Sequence, residues 1–352
     1  AKKLGSDTMI YGMSSILGRF LNYLLVPLYT AKISAASGGY GVITNIYSYT
    51  ALLLVFLTYG METTLFRFMN KENTDPDKVY STILTAVGTT SLLFVGLVMA
   101  MLNWIAPAMG YEDHPQYIAV MAIVVALDAF QAIPFSYLRA KKRPIKFATL
   151  KMLFIGLNIG LNLIYFLLLP AIYEGNESIV GLIYDPTVGA GYAFYLNLVC
   201  TALVTFGFWQ EVFKIKWHFD WSLLKSMLKY SWPLLVLGIA GILNQTADKI
   251  LFPYIYPGTD AQVQLGIYGA AVKIAMIMAL ITQAFRYAYE PLIFDKSTKE
   301  DNDKMQTLGM KYFVIFTLAA FLAVMAGIDV LKHIIGRDYW EGLKVDPIVM
   351  VA

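Results

Sequence analysis

VYSTILTAVGTTSLLFVGLVMAMLN, residues 79–103, carries no charged side chain from end to end. A helix needs about 20 apolar residues to cross the hydrocarbon core of a bilayer, so this stretch reads as a membrane span. Working outward, windows of the same kind fall at 8–32, 40–68, 116–139, 147–170, 189–210, 228–256, 263–294 and 309–328, and a tenth opens near Val345. The composition agrees: of 352 residues, 58% are hydrophobic and 14% charged, with a mean hydropathy of +0.59. A soluble domain is about one quarter charged and cannot hide this much apolar surface in one core. The expected class is an all-α integral membrane protein with about nine to ten transmembrane helices.

The same numbers exclude other classes. A net charge of only +3 gives nucleic acid no electrostatic footprint, so no nucleic-acid partner is expected. Cys200 is the one cysteine, which excludes an intramolecular disulfide. His114, His218 and His333 lie far apart, with no Cys/His/carboxylate spacing, so neither metal nor cofactor is expected. There is no G-x-x-x-x-G-K-[ST] loop for ATP hydrolysis. Residues 1–8 are short and polar, and the apolar stretch after them is longer than a signal-peptide core. With no initiating Met, the chain is expected to start after the natural N-terminus.

Lysine and arginine set the orientation. With a cytoplasmic N-terminus, the outer segments hold only Lys32, Lys332, Arg337 and Lys344, while most of the 27 cations fall inside. RAKKRPIK, residues 139–146, is the strongest anchor, read as a stop signal at the headgroups or a lipid site. The multi-pass chain is expected in the bacterial cytoplasmic (inner) membrane. The external loops are short, their acids being Glu112 and Asp113, then Glu174, Glu177 and Asp185.

An internal repeat organises the spans. LLVPLYT (24–30) precedes Gly41, which opens the second span; ILFPYIY (250–256) precedes Gly266, which opens the eighth. The second helix of each pair ends in charge: Glu62 and Arg67, then Arg286 and Glu290. An offset of six spans gives the copies one orientation, a known route to two-lobed transporters. The expected division is an N-terminal lobe over 1–215 and an incomplete C-terminal lobe over 216–352, two pseudo-repeated six-helix lobes with the second truncated. The natural protein is expected to continue past Ala352.

Four cations sit deep in apolar stretches: Arg19, Lys249, Lys273 and Arg286. Insertion scales charge each roughly 2.5–3.5 kcal/mol at a helix centre, so such groups face a bundle interior or a wet cavity. Together they suit an anion. Ser15, Arg19 and Asn22 recur at helical spacing on the first span. Arg19 then either clamps an anionic cargo or pairs with an acid such as Asp128. On the seventh span Gly241, Asn244 or Gln245, and Asp248 form a second polar stripe, with Lys249 turned about 100° away. Asp248 is the candidate coupling site for a proton or sodium ion, the alternative being packing with neutralised charges. Asp128, central in the fourth span, needs a partner or a proton. Glu62, Arg67, Arg286 and Glu290 form either an inner gate or simple interfacial charges, with Arg286 and Glu290 spaced to pair along one helix.

KKLGSDTMIYGMSSILGRFLNYLLVPLYT (2–30), YGVITNIYSY (40–49), LTYGMETTLFRF (57–68) and QAFRYAYEPLIF (283–294) resemble bacterial oligosaccharide flippases. These form the polysaccharide-transport branch of the multidrug/oligosaccharidyl-lipid/polysaccharide (MOP) superfamily. The resemblance implies two six-helix lobes, alternating access and a lipid-pyrophosphate-linked glycan as cargo. It makes Arg19, Asn22, Lys249 and Lys273 candidate substrate-binding residues and Asp248 and Asp128 candidate ion-coupling residues. The implied partners are lipid-linked oligosaccharide, membrane lipids and polysaccharide-assembly proteins. Family members usually have twelve to fourteen spans, and this chain stops earlier.

Two rival functions stay open. A MATE-like multidrug or cation antiporter shares the superfold, but cationic cargo favours acidic cavities. A membrane glycan polymerase would need acid and base groups on a sizeable external loop, so the chain reads as a transporter and not an enzyme.

Overall fold

The structure is a computed structural model describing residues 23–72, 74–173, 180–215, 217–293 and 299–351. In chain order the helices are α1 (Leu25–Lys32), α2 (Gly39–Thr58), α3 (Met61–Met69), α4 (Pro76–Ala100), α5 (Leu102–Ala108), α6 (Pro115–Ala140), α7 (Pro144–Leu163), α8 (Leu169–Tyr173), α9 (Tyr192–Phe206), α10 (Trp209–Phe213), α11 (Trp221–Ile255), α12 (Ala261–Ile293), α13 (Lys299–Ala326), α14 (Ile328–Leu331) and α15 (Asp346–Val351). Among the described residues no strand occurs. Eight helical stretches are long and apolar enough to cross a membrane: Gly39–Met69, Pro76–Ala100, Pro115–Ala140, Pro144–Tyr173, Pro186–Phe206, Trp221–Ile255, Ala261–Ala279 and Thr307–Ala326. They match the second to ninth expected spans. The first lies mostly outside the described residues, with α1 as its last turns.

Helix starts follow from local chemistry. Pro76, Pro115 and Pro144 each stand in the first turn, where a missing N–H costs nothing. Asp75 caps α4 by accepting from the Asp77 amide, and Asp220 caps α11 by accepting from the Leu223 amide at 3.0 Å. Pro134, Pro233 and Pro253 lie within α6 and α11, which stay helical through them. Pro170 has an effect on its helix: a π turn over Ile164–Leu168 joins α7 to α8 just ahead of it. A proline ring clashes with the carbonyl four residues back, and a wider turn relieves that clash.

One of two compact units comprises Ala1–Leu25 with Val42–Pro257. Its larger core joins Leu57, Met61 and Leu65 to Tyr80, Ile83 and Val87 of α4, Val125, Ala129 and Ile133 of α6, and Leu224 and Met227 of α11. A smaller aromatic core stacks Phe135 edge-on to Phe147 and Phe208 at 5.3 and 4.7 Å, closing α6 on α7 and on the segment after α9. Tyr59 (φ 32°) and Gly60 (φ 73°) break the second span into α2 and α3. A methyl on Gly60 would stand 2.9 Å from the Leu234 Cβ, so α11 packs closely against the break.

In the same unit the segment before α11 is fastened to the start of α4. Lys78 pairs with Asp220 at 2.6 Å, Ser81 Oγ donates to the His218 carbonyl at 2.7 Å, and the Asp220 amide donates to Thr82 Oγ1. The basic run 139–146 is used in a similar way. Arg139 reaches Glu62, Lys141 reaches Asp77, and Lys146 and Arg143 reach the buried Glu211 at 2.6 and 3.8 Å. The anchor expected at the headgroups therefore also ties helix ends together.

The other unit comprises Val26–Gly41 with Gly258–Ala352. The Gly336 amide donates to Thr30 Oγ1 at 3.0 Å, and the Tyr339 hydroxyl donates to the Ile33 carbonyl at 2.8 Å. Gly41 lies against the backbone of Gln262 and Gly266, and a Cβ on Gly266 would stand 2.9 Å from the Gly41 nitrogen. Gly41, near the start of α2, and Gly266, in the second turn of α12, thus pack backbone to backbone.

Two outcomes follow. A Gly41→Ala methyl lands on the Gln262 carbonyl, which is backbone and cannot swing aside, so a loss of about 1–3 kcal/mol is expected from thermal unfolding in detergent. The Lys78 ammonium and the Leu223 amide hold the Asp220 carboxyl below its ordinary 3.8. A depressed pKa means the clasp contributes fully above the ordinary carboxylate range and fades as pH falls through the lowered value. Asp220→Asn should flatten the fall in unfolding midpoint on acidification from about pH 6 to about pH 3.

Candidate functional site

The seventh expected span, α11, presents its polar stripe openly. Gly241, Asn244, Gln245 and Asp248 are all exposed, inside a span of mean hydropathy 1.4. Lys249 does not point away from this stripe. Its flexible stem brings Nζ to the Asp248 carboxylate at 2.8 and 3.0 Å and to the Gln245 carbonyl at 2.9 Å. The candidate substrate cation and the candidate coupling carboxylate are therefore one pair, with Lys249 13% and Asp248 40% exposed. The Lys249 carbonyl accepts from Asn45 Nδ2 at 2.8 Å, and Asn45 Oδ1 accepts from the Tyr111 hydroxyl at 2.8 Å. That chain fixes the backbone beside the pair against α2.

A second polar cluster lies between α6, α7, α9 and the start of α3. Asp128 stands beside the Thr201 hydroxyl and within electrostatic reach of the Lys151 ammonium. Lys151 sits over the Phe135 ring at 4.1 Å and also feels the charges of Glu62 and Arg139. Around them Gln131 Nε2 donates to the Thr201 carbonyl at 2.9 Å and to Thr205 Oγ1 at 2.8 Å. The Thr201 hydroxyl donates to Asn197 Oδ1, and Asn197 Nδ2 donates to the Tyr47 hydroxyl at 2.7 Å. Glu62 accepts from Ser136 Oγ at 3.2 Å and meets Arg139 at 3.4 Å. Asp128 thus has its partners within one unit.

Lys151, Arg139, Gln131 and Asn197 are not among the residues expected from the sequence. Lys151 reads there as a loop cation because it closely follows RAKKRPIK; the structure puts it two turns into α7, half-buried. Asn197, Thr201 and Thr205 recur every four residues in an apolar stretch, a legible stripe that would have flagged α9.

The remaining candidates fall elsewhere. Arg67 stacks over the Tyr230 ring at 4.2 Å and does not join the Glu62–Arg139 pair. Lys273, on α12 in the other unit, is half-buried among Ala270, Ala271, Val272, Ile274 and Ala275, all buried. Arg286 and Glu290 lie four residues apart on α12, with side chains outside the described residues. Arg19 and Asn22 also lie outside them. Among the described residues no group of three His, Cys, Asp or Glu side chains is arranged to hold a metal.

Removing one partner of an electrostatic pair in an apolar surround strands the other. Lys151→Met should therefore destabilise the fold, and adding Asp128→Asn should return most of the loss. The coupling in a double-mutant cycle of unfolding midpoints should be about 1–3 kcal/mol.

Comparison with known proteins fits this geometry. The chain matches the family model described as "Polysaccharide biosynthesis protein" over residues 37–341. An Lsg locus protein of Haemophilus influenzae is 19% identical over 346 residues, covering 96% of this chain and 78% of that protein. Two solved structures share the fold. An inward-facing multidrug resistance MATE family transporter of the MOP superfamily superposes with a TM-score of 0.64 at 15% identity, covering 98% of this chain and 80% of its own. A MATE structure in the straight conformation gives 0.53 at 17% identity, covering 98% and 76%. With eight apolar, membrane-length helices among its described residues, this multi-pass membrane protein shares the fold of those transporters and belongs to the polysaccharide biosynthesis protein family.

Proposed function

We propose that this chain is a flippase that carries a polyprenyl-pyrophosphate-linked oligosaccharide across the bacterial cytoplasmic membrane for cell-surface polysaccharide synthesis. The observation that carries the reading is the exposed polar face of α11 at Asn244, Gln245 and Asp248. Facing lipid, a side-chain amide such as that of Asn244 or Gln245 would give up its water at about 2–7 kcal/mol when no partner replaces it. Facing a wetted hollow, it costs little. Family membership supports a glycan-assembly role, and the cations support the charge of the cargo. Arginine matches phosphate oxygens in pairs and lysine supplies a point charge, so Arg19, Lys249 and Lys273, with Asn22 as a neutral donor, suit a pyrophosphate.

In this reading the N-terminus is cytoplasmic, and the lobes 1–215 and 216–352 rock to open the hollow to one side at a time. Asp248 and Asp128 are the carboxylates through which an ion gradient enters the cycle. Protonating Asp248 would release Lys249 from its pair and free that cation for the headgroup. Glu62 and Arg67, with Arg286 and Glu290, close the inner side. No covalent bond changes, so the protein acts as a transporter and not an enzyme, with membrane lipids and polysaccharide-assembly proteins as partners.

The test is translocation of a polyprenyl-pyrophosphate disaccharide in sealed vesicles. Arg19→Gln and Lys273→Gln should each lower the rate about tenfold or more while inserting normally, since a charge-assisted phosphate contact contributes about 1.5–3 kcal/mol. Unchanged rates in both variants would overturn the anion clamp. Transport of a lipophilic cation in place of the glycan lipid would favour a multidrug antiporter.

A further inference from the structure

Resting on that reading, we infer that the ends of α3 and α11 form a separate docking site for the pyrophosphate of the lipid cargo, ahead of the central hollow. Arg67, Phe68 and Lys71 from α3 and its end, and Ser226, Lys229 and Tyr230 from α11, line a cavity of about 470 Å³. The local spacing explains the meeting. Positions 67 and 71 share a face, as do 226, 229 and 230, and the Tyr59–Gly60 break turns α3 onto the start of α11.

Three cations open on one hollow, and none of the ion pairs among the described residues involves them. The contrast with the neighbouring basic run is informative. Arg139, Lys141, Arg143 and Lys146 each have a carboxylate within 4 Å, whereas among the described residues Arg67, Lys71 and Lys229 have none. Arg67 is instead positioned by ring contact over Tyr230 at 4.2 Å, which leaves its guanidinium N–H edge open to an incoming oxygen. Phe68 and Tyr230 form an aromatic floor, with centroids 6.2 Å apart. Gathering like charges without a counter-ion is unfavourable until an anion enters. A fork of guanidinium donors, two mobile ammoniums and the Ser226 hydroxyl suit a compact dianion with many oxygens.

The site is tested by binding alone, with the full chain in zwitterionic nanodiscs and occupancy read by native mass spectrometry. The probes are glycan-free polyprenyl pyrophosphate and phosphatidylglycerol. The triple change Arg67→Gln, Lys71→Gln, Lys229→Gln should weaken polyprenyl pyrophosphate about tenfold or more. Lys142→Gln, in the basic run 139–146 outside this cavity, should leave it unchanged. If the triple variant unfolds, Lys229→Gln alone should weaken binding several-fold, and Arg67→Lys should retain more affinity than Arg67→Gln. Equal affinity in variant and wild type would overturn the docking site and leave the flippase reading standing. An equal loss for phosphatidylglycerol would mark a general lipid contact and overturn it too. Failure of the wild type to bind polyprenyl pyrophosphate at all would sink the flippase reading itself.

Discussion

Hydrocarbon offers no hydrogen-bond partners, and every polar group inside the bilayer must find one within the protein or in trapped water. Much of this structure follows from that constraint. Helices dominate because they satisfy their own backbones. Side chains that break the apolar rule are answered locally: Thr30, Ser48, Thr50, Thr58 and Thr246 each bond the carbonyl four residues back. Larger polar groups are answered between helices, as Gln131 is by α9 and Asn45 by the α11 backbone. On α11 Asp248 is answered by the neighbouring Lys249, while the Asn244 and Gln245 amides beside the pair stay exposed.

The spans were legible because length and apolarity are one-dimensional properties, and eight of the expected windows recur as helices. The partners of the charges were not legible. Lys249 seemed set apart from Asp248 by the geometry of the helix, yet four methylenes are long enough to fold back across one residue. Lys151 was hidden by its neighbours in sequence, since six cations in thirteen positions look like a loop until the helix start at Pro144 is known. Glu62 reads beside Arg67 and Asp128 beside Arg19, whereas the cations that meet them, Arg139 and Lys151, stand on other helices. Burial shows in a sequence more readily than pairing, because pairing depends on which helices end up adjacent.

The basic segments divide into two kinds that the sequence cannot tell apart. In RAKKRPIK four of the five charges are absorbed by Glu62, Asp77 and Glu211, so a stretch that looks like a membrane anchor also holds α3, α4, α7 and α10 in place. Around Tyr230 the charges stay open. Glu211 illustrates the difference, being 2% exposed and gripped by two cations, one of them at 2.6 Å. A cation whose acid is already supplied is structural, and one left waiting is available to a ligand.

The close approach of Gly41 and Gly266 limits both positions at once. A Cβ at Gly41 would land on the Gln262 carbonyl, and one at Gly266 would stand 2.9 Å from the Gly41 nitrogen. Because each obstacle is backbone, no substitution at the opposite position makes room for a side chain. Drift is therefore blocked at both addresses by one contact.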